Sequence, residues 1–195
     1  KAFSLQSEEG THLLNIASTL KIKNQSKDEN KKLLQACQLF LDKKDWQNFV
    51  QTSTDLEKEK LSSIQKRQLA SLKGKFYWYQ NQIEKAKKQL EIYATGKTSE
   101  QKDHQAIFML STIYREENDL ESALEYCQKA IKLDESESLY VRTKAEILLD
   151  LGEIEQAKAF FEKTTELNQN DGWAWYYLAK INYNQGDMKS AKSDI

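Results

Sequence analysis

The sequence predicts an all-α chain built from a repeated helix pair, and three of its features carry that prediction. Proline is absent and glycine occurs only 6 times in 195 residues, where an average usage of about 5% Pro would give roughly ten prolines. Proline ends helices and glycine loosens them, so their scarcity predicts long helices with little turn punctuation. Alanines recur at Ala86, Ala123, Ala157 and Ala191, at spacings of 37, 34 and 34 residues. Five residues ahead of each stands Asn81, Asn118, Gly152 or Gly186. Asn and Gly best tolerate left-handed backbone, which a tight joint between two helices requires.

The rest of the period follows from packing. Twelve residues before each alanine is a small residue, Gly74, Ser111, Ala145 or Ala179, and three before it an apolar one, Ile83, Leu120, Ile154 or Met188. Small residues at two fixed places let paired helices approach closely, and the larger ones fill the seam. After each joint Asp119, Glu153 and Asp187 can cap the second helix, with Gln82 the weaker case. In chain order the helices are expected near 4–21, 31–42, 46–58, 66–79, 82–94, 102–117, 119–132, 137–150, 153–166, 172–184 and 187–195. Leu13, Leu14, Ile16, Ala17 and Leu20 form an apolar stripe on the first of these. The polar run Lys21 to Lys32 reads as a linker. The expected organisation is an N-terminal helix and linker over 1–29, a divergent helix pair over 30–66, and repeats over 67–195, divided at 67–103, 104–137, 138–171 and 172–195. The divergent pair offers Ala36, Phe40, Asp45 and Trp46 but has Phe49 where the alanine belongs.

This period resembles the tetratricopeptide repeat (TPR), a 34-residue helix–turn–helix unit. Trp175, Leu178, Ala179, Gly186, Asp187 and Ala191 match the family's Trp, Leu-Gly, Gly-Asp and Ala positions. The departures are Glu135 and Gln169 in place of the proline after the second helix, and Lys73 and Lys144 in place of a first-helix leucine. The resemblance implies an α-solenoid whose first helices line a concave groove. Its inward positions fall on Gln68, Ser71, Lys75 and Trp78, then Gln105, Phe108, Thr112 and Arg115. The next two repeats give Leu139, Arg142, Glu146 and Leu149, then Trp173, Tyr176, Lys180 and Tyr183. Aromatic residues and arginine are the types enriched at interface hot spots. Relatives that grip a chaperone's C-terminal carboxylate use a clamp of Lys, Asn and Arg. Here those places hold Phe108, Thr112, Thr143, Trp173 and Tyr177, or one repeat earlier Ser71, Lys75, Met109, Leu139 and Thr143. That sub-function is rejected.

Other functions are narrowed by composition. With 29 Lys+Arg against 30 Asp+Glu the net charge is −1, unlike the clearly basic domains that bind nucleic acid. No run approaches the roughly 18 apolar residues of a membrane span. His12 and His104 have no ligand partners at metal spacing, so no metal is expected. No phosphate loop, nucleophile elbow or Ser/His/Asp set is present, so neither cofactor nor enzymatic activity is expected. Cys37 and Cys127 make no disulfide framework, read as buried inert thiols, and suggest a reducing, cytoplasmic setting. Charge is uneven: residues 1–103 carry +6 and residues 104–195 carry −7.

The expected function is a non-catalytic adaptor holding a peptide or helix of a protein partner in the groove. The alternatives are a regulatory module of a larger signalling protein or a homo-oligomerising scaffold. The chain starts at Lys1 and stops at Ile195 inside a repeat, which reads as a piece of a longer protein. Trp175, Tyr177, Ile181 and Met188 would then lack cover, an opening for self-association through the last repeat.

Overall fold

The protein is described here by a computed structural model covering residues 26–96 and 102–193. Ten helices occur among these residues. They are α1 (Ser26–Asp42), α2 (Trp46–Glu57), α3 (Ser63–Tyr79), α4 (Ile83–Ala94), α5 (His104–Glu116), α6 (Leu120–Leu133), α7 (Ser138–Asp150), α8 (Ile154–Leu167), α9 (Gly172–Asn184) and α10 (Met188–Ser193). The chain divides into two compact units, residues 1–101 and 102–195. The helix expected over 4–21 lies outside the described residues.

Each helix pair is closed by the same joint. Lys44, Asn81, Asn118, Gly152 and Gly186 have φ of 56°, 55°, 62°, 81° and 81°. At the third joint Asn118 N–H donates to Arg115 O at 2.9 Å and Asp119 N–H to Tyr114 O at 2.9 Å. At the fourth, Gly152 N–H donates to Leu149 O at 2.9 Å and Glu153 N–H to Leu148 O at 2.8 Å. The other three joints carry the same two bonds. This is the Schellman closure, which satisfies the last carbonyls of a helix and needs one left-handed residue. The residue after it is the N-cap position of the next helix, so no loop intervenes.

Capping of the second helices follows side-chain length. Asp45, Asp119 and Asp187 accept from Asn48, Ser122 and Ser190 N–H. Glu153 and Gln82 make no such bond, contrary to the expectation for Glu153. Glu153 has one methylene more than aspartate, and its carboxylate bonds Gln156 Nε2 at 3.0 Å instead. Two starts also differ from expectation. α3 begins at Ser63 because Ser62 and Gln65 form a reciprocal capping box. α1 begins at Ser26, so residues 26–32 of the expected linker are helical.

In the first unit α1 packs on α2 and α3, and α3 on α4. The core joins Leu33, Cys37, Phe40, Phe49, Leu56, Leu69 and Leu72, with Trp46 and Phe76 against it. Phe49 occupies the alanine place of the divergent pair, opposite the small Cys37, and stacks on Phe76 with ring centroids 4.8 Å apart. Gly74 marks a close approach: a Cβ there would lie 2.6 Å from Leu90 Cδ2, so the Leu90 side chain would have to move.

In the second unit α5 packs on α6, α6 on α7, α7 on α8, and α8 on α9. Ala123 and Ala157 are fully buried. Ser111 Oγ donates to Ala123 O at 2.7 Å, so the small-residue position meets the alanine of its own repeat, as the spacing requires. Ala145, Leu148, Ala157, Phe161, Ala174, Leu178 and Ile181 form one core, with Trp175 and Tyr177 partly buried against it. Ile181 is therefore covered, contrary to expectation, while Met188 is exposed. Of the two first-helix lysines that depart from the repeat pattern, Lys73 pairs with Glu57, and Lys144 Nζ lies over the Phe160 ring, 3.9 Å from its centroid.

Candidate functional site

The expected groove positions separate into three environments. Lys75 is buried at 5% exposure, and Trp78 on the same helix is half-buried. In the second unit Phe108, Thr112, Arg115, Arg142, Glu146 and Leu149 are half-buried. Trp173, Tyr176 and Tyr183 are exposed at 61%, 53% and 62%, and Lys180 is exposed with them.

The half-buried residues largely bind one another. Thr112 Oγ1 donates back to Phe108 O at 3.2 Å, and Phe108 stacks on Tyr140 at 4.4 Å. Arg115 reaches Glu146, and its Nε donates to Asp150 Oδ2 at 2.8 Å. Arg142 Nη1 donates to the second oxygen of Glu146 at 2.8 Å. Arg142 Nε lies 3.1 Å from Asp171 Oδ2, an ion pair whose N–H points out of line for a hydrogen bond. Asp171 also caps α9 by accepting from Ala174 N–H at 3.1 Å. A continuous relay therefore runs from α5 through α7 to the start of α9. Burial works against the Arg115 charge, but the bonds from Asp150 and Glu146 outweigh it and hold the guanidinium above its ordinary pKa.

Asp150, Asp171 and Tyr177 were not among the expected positions. A signal for Asp171 existed: Asp103, Glu137 and Asp171 recur at 34-residue spacing directly before the first helices, and each caps its helix.

α9 carries the exposed part of the site. Its buried stripe is Ala174, Leu178, Ala179, Ile181 and Asn182. Trp173, Tyr176, Lys180 and Tyr183, at steps of three, four and three residues, form the opposite face. Trp173 and Tyr176 meet edge to face with centroids 6.1 Å apart and planes at 88°. Tyr177 anchors the patch by stacking on Phe161 at 4.9 Å. Burial, and then the nearby Glu146 carboxylate, raise the Tyr177 pKa and keep it a neutral phenol. Burial also pushes the Cys37 and Cys127 thiols up to about 12. Among the described residues there is no group of three or more His, Cys, Asp or Glu placed to hold a metal ion. No helix among them is long and apolar enough to cross a membrane.

Comparison with known proteins agrees with this architecture. Residues 142–191 match the family described as tetratricopeptide repeat, and residues 77–164 match that described as anaphase-promoting complex, cyclosome, subunit 3. TPR repeat-containing protein MJ1428 of Methanocaldococcus jannaschii is 34% identical over 71 residues, which are 36% of this chain and 12% of that protein. The crystal structure of YrrB, described as a TPR protein with an unusual peptide-binding site, superposes with a TM-score of 0.74 at 16% identity, over 91% of this chain and 88% of that one. The crystal structure of MamA gives a TM-score of 0.57 at 17% identity, over 92% and 90%. With five left-handed joints closed by the same pair of bonds, a small residue meeting the alanine of its own repeat at Ser111 and Ala123, and these matches, the chain is an all-α solenoid of helical repeats of the tetratricopeptide kind.

Proposed function

We propose that the chain is a non-catalytic interaction scaffold that holds a linear segment of a partner protein against the first-helix face of its second unit, with α9 as the main contact. The observation that carries this reading is the outward set of Trp173, Tyr176 and Tyr183, large rings left in water on a helix whose other side is fully packed. Such rings supply contact area with few rotatable bonds, and they stand on a rigid element, so binding orders little. The relay through Arg115, Glu146, Arg142 and Asp171 fixes α9 relative to α7. YrrB, the similar structure described with a peptide-binding site, supports the general mode.

The test is to pan a library of random linear peptides against the wild-type chain and to measure each enriched peptide on variants. Enriched peptides should lose at least about tenfold in affinity on Trp173→Ala/Tyr176→Ala, which is on the order of one hot-spot residue. Glu162→Ala, an exposed change on α8, should leave binding unchanged. Peptides that bind both variants as well as wild type would place the partner surface elsewhere.

A further inference from the structure

We propose that the exposed face of α9 takes proline-rich segments in the polyproline II conformation, a deepening that rests on α9 being a partner-binding face. Three kinds of linear ligand could meet a helix face: a strand, a helix or a polyproline II segment. A strand needs a sheet edge with open N–H and C=O groups, and α9 bonds its own backbone. A helical ligand brings carbonyls already satisfied internally. A polyproline II ligand has no internal hydrogen bonds, so its carbonyls need donors, and its prolines ask for no acceptor.

α9 offers that side of the match. Among the described residues no hydrogen bond takes up Trp173 Nε1, Tyr176 Oη or Tyr183 Oη, whereas Trp175 Nε1 is committed to Gln169 O at 2.9 Å. Three aromatic donors thus stand beside three exposed ring surfaces.

Spacing agrees. Tyr176 and Tyr183 lie seven residues apart on one stripe of the helix, about 10.5 Å along its axis. One turn of polyproline II is three residues, about 9.3 Å. Two prolines one turn apart therefore come into register with Tyr176 and Tyr183, and the edge-to-face Trp173 ring flanks the first of them.

The ligand need not be strongly charged. The carboxylates of Glu146, Asp150 and Asp171 are engaged by Arg115 and Arg142, leaving Lys180 as the only charged side chain on α9. Nor is the ligand another copy of this sequence, which contains no proline. The stiffness of the ligand suits the rigidity of the helix, because neither side pays much ordering entropy on contact.

The test uses the whole chain and three synthetic peptides of equal length: decaproline, a Gly-Ser peptide and an alanine-rich helical peptide. Indole N–H signals are followed by two-dimensional NMR, and affinity is read from the titration. Decaproline should shift the Trp173 indole saturably and leave the Trp175 indole in place. Trp173→Ala and Tyr176→Ala should each weaken it by at least about tenfold, and Tyr176→Phe, which keeps the ring and removes the hydroxyl, by less. These residues are more than half exposed, so circular dichroism should report an unchanged fold. An absent shift, an equal shift with the Gly-Ser peptide, or an affinity indifferent to all three substitutions overturns the proposal. Saturation by the helical peptide without decaproline overturns it too, and leaves α9 a partner-binding face. If library panning also yields no α9-dependent peptide, both readings fall.

Discussion

Replacing Gly152 with valine changes little except one backbone torsion. Gly152 sits at φ 81°, and a Cβ built there meets no atom within 4 Å. Overpacking is therefore absent, and the whole penalty is that of holding a β-branched residue in the left-handed region, about 1–3 kcal/mol. For a chain of this size each kcal/mol lowers Tm by about 2–4 °C, which gives a fall of roughly 2–12 °C. Gly152→Asn is the internal control, because Asn118 and Asn81 already hold this joint at φ 62° and 55°; it should cost well under half as much. Thermal denaturation by circular dichroism measures the size of the effect. Hydrogen exchange locates it, since the Glu153 N–H that donates to Leu148 O should lose protection before amides of the first unit do. An unchanged melting curve for Gly152→Val, or equal losses for valine and asparagine, would refute the torsional explanation.

Three further outcomes follow from the packing and the electrostatics. Ala157→Leu, at a site with 0% exposure, should cost about 1–3 kcal/mol by overpacking the α7–α8 seam, read by urea denaturation. Cys37 and Cys127, with thiols pushed up to about 12 by burial, should resist a thiol reagent at pH 8 in the native chain and react at once in denaturant. Asp134, held below the ordinary carboxylate range chiefly by the Ser136 hydroxyl, should show that lowered value in a carbonyl-carbon NMR titration. Because its folded pKa is depressed, its stabilisation is present above the unfolded pKa and lost as pH falls through the folded one; Ser136→Ala should move the titration back up.

What the sequence made visible was whatever depends on one residue at a time. A left-handed joint needs Gly or Asn, so Asn81, Asn118, Gly152 and Gly186 announced themselves. Lys44 adopts φ 56° at the equivalent place without any residue-type signal, and is held there by Lys44 N–H to Leu41 O at 3.1 Å and Asp45 N–H to Phe40 O at 2.8 Å. The site divides along the same line. Trp173, Tyr176 and Tyr183 are exposed where the repeat register put them. The mutual pairing of Arg115 with Glu146, 31 residues apart, depends on how two helices settle against each other, and that distance carries no local periodicity. Lys75 was placed on the expected face by register but is buried by its surroundings, which a helical wheel does not contain.

The relay also limits how this array could be edited by evolution or by design. Repeat proteins change length by losing or duplicating whole units, and such events are neutral only when equivalent positions are interchangeable. Here they are not. Removing residues 138–171 would keep the 34-residue phase intact, yet would put Lys180 in the place of Glu146 and Asn184 in the place of Asp150. Arg115 would then meet an ammonium and a neutral amide where it now holds two carboxylates. Excising that repeat would therefore break the relay, and a graft from another array would need matching acidic residues at both places.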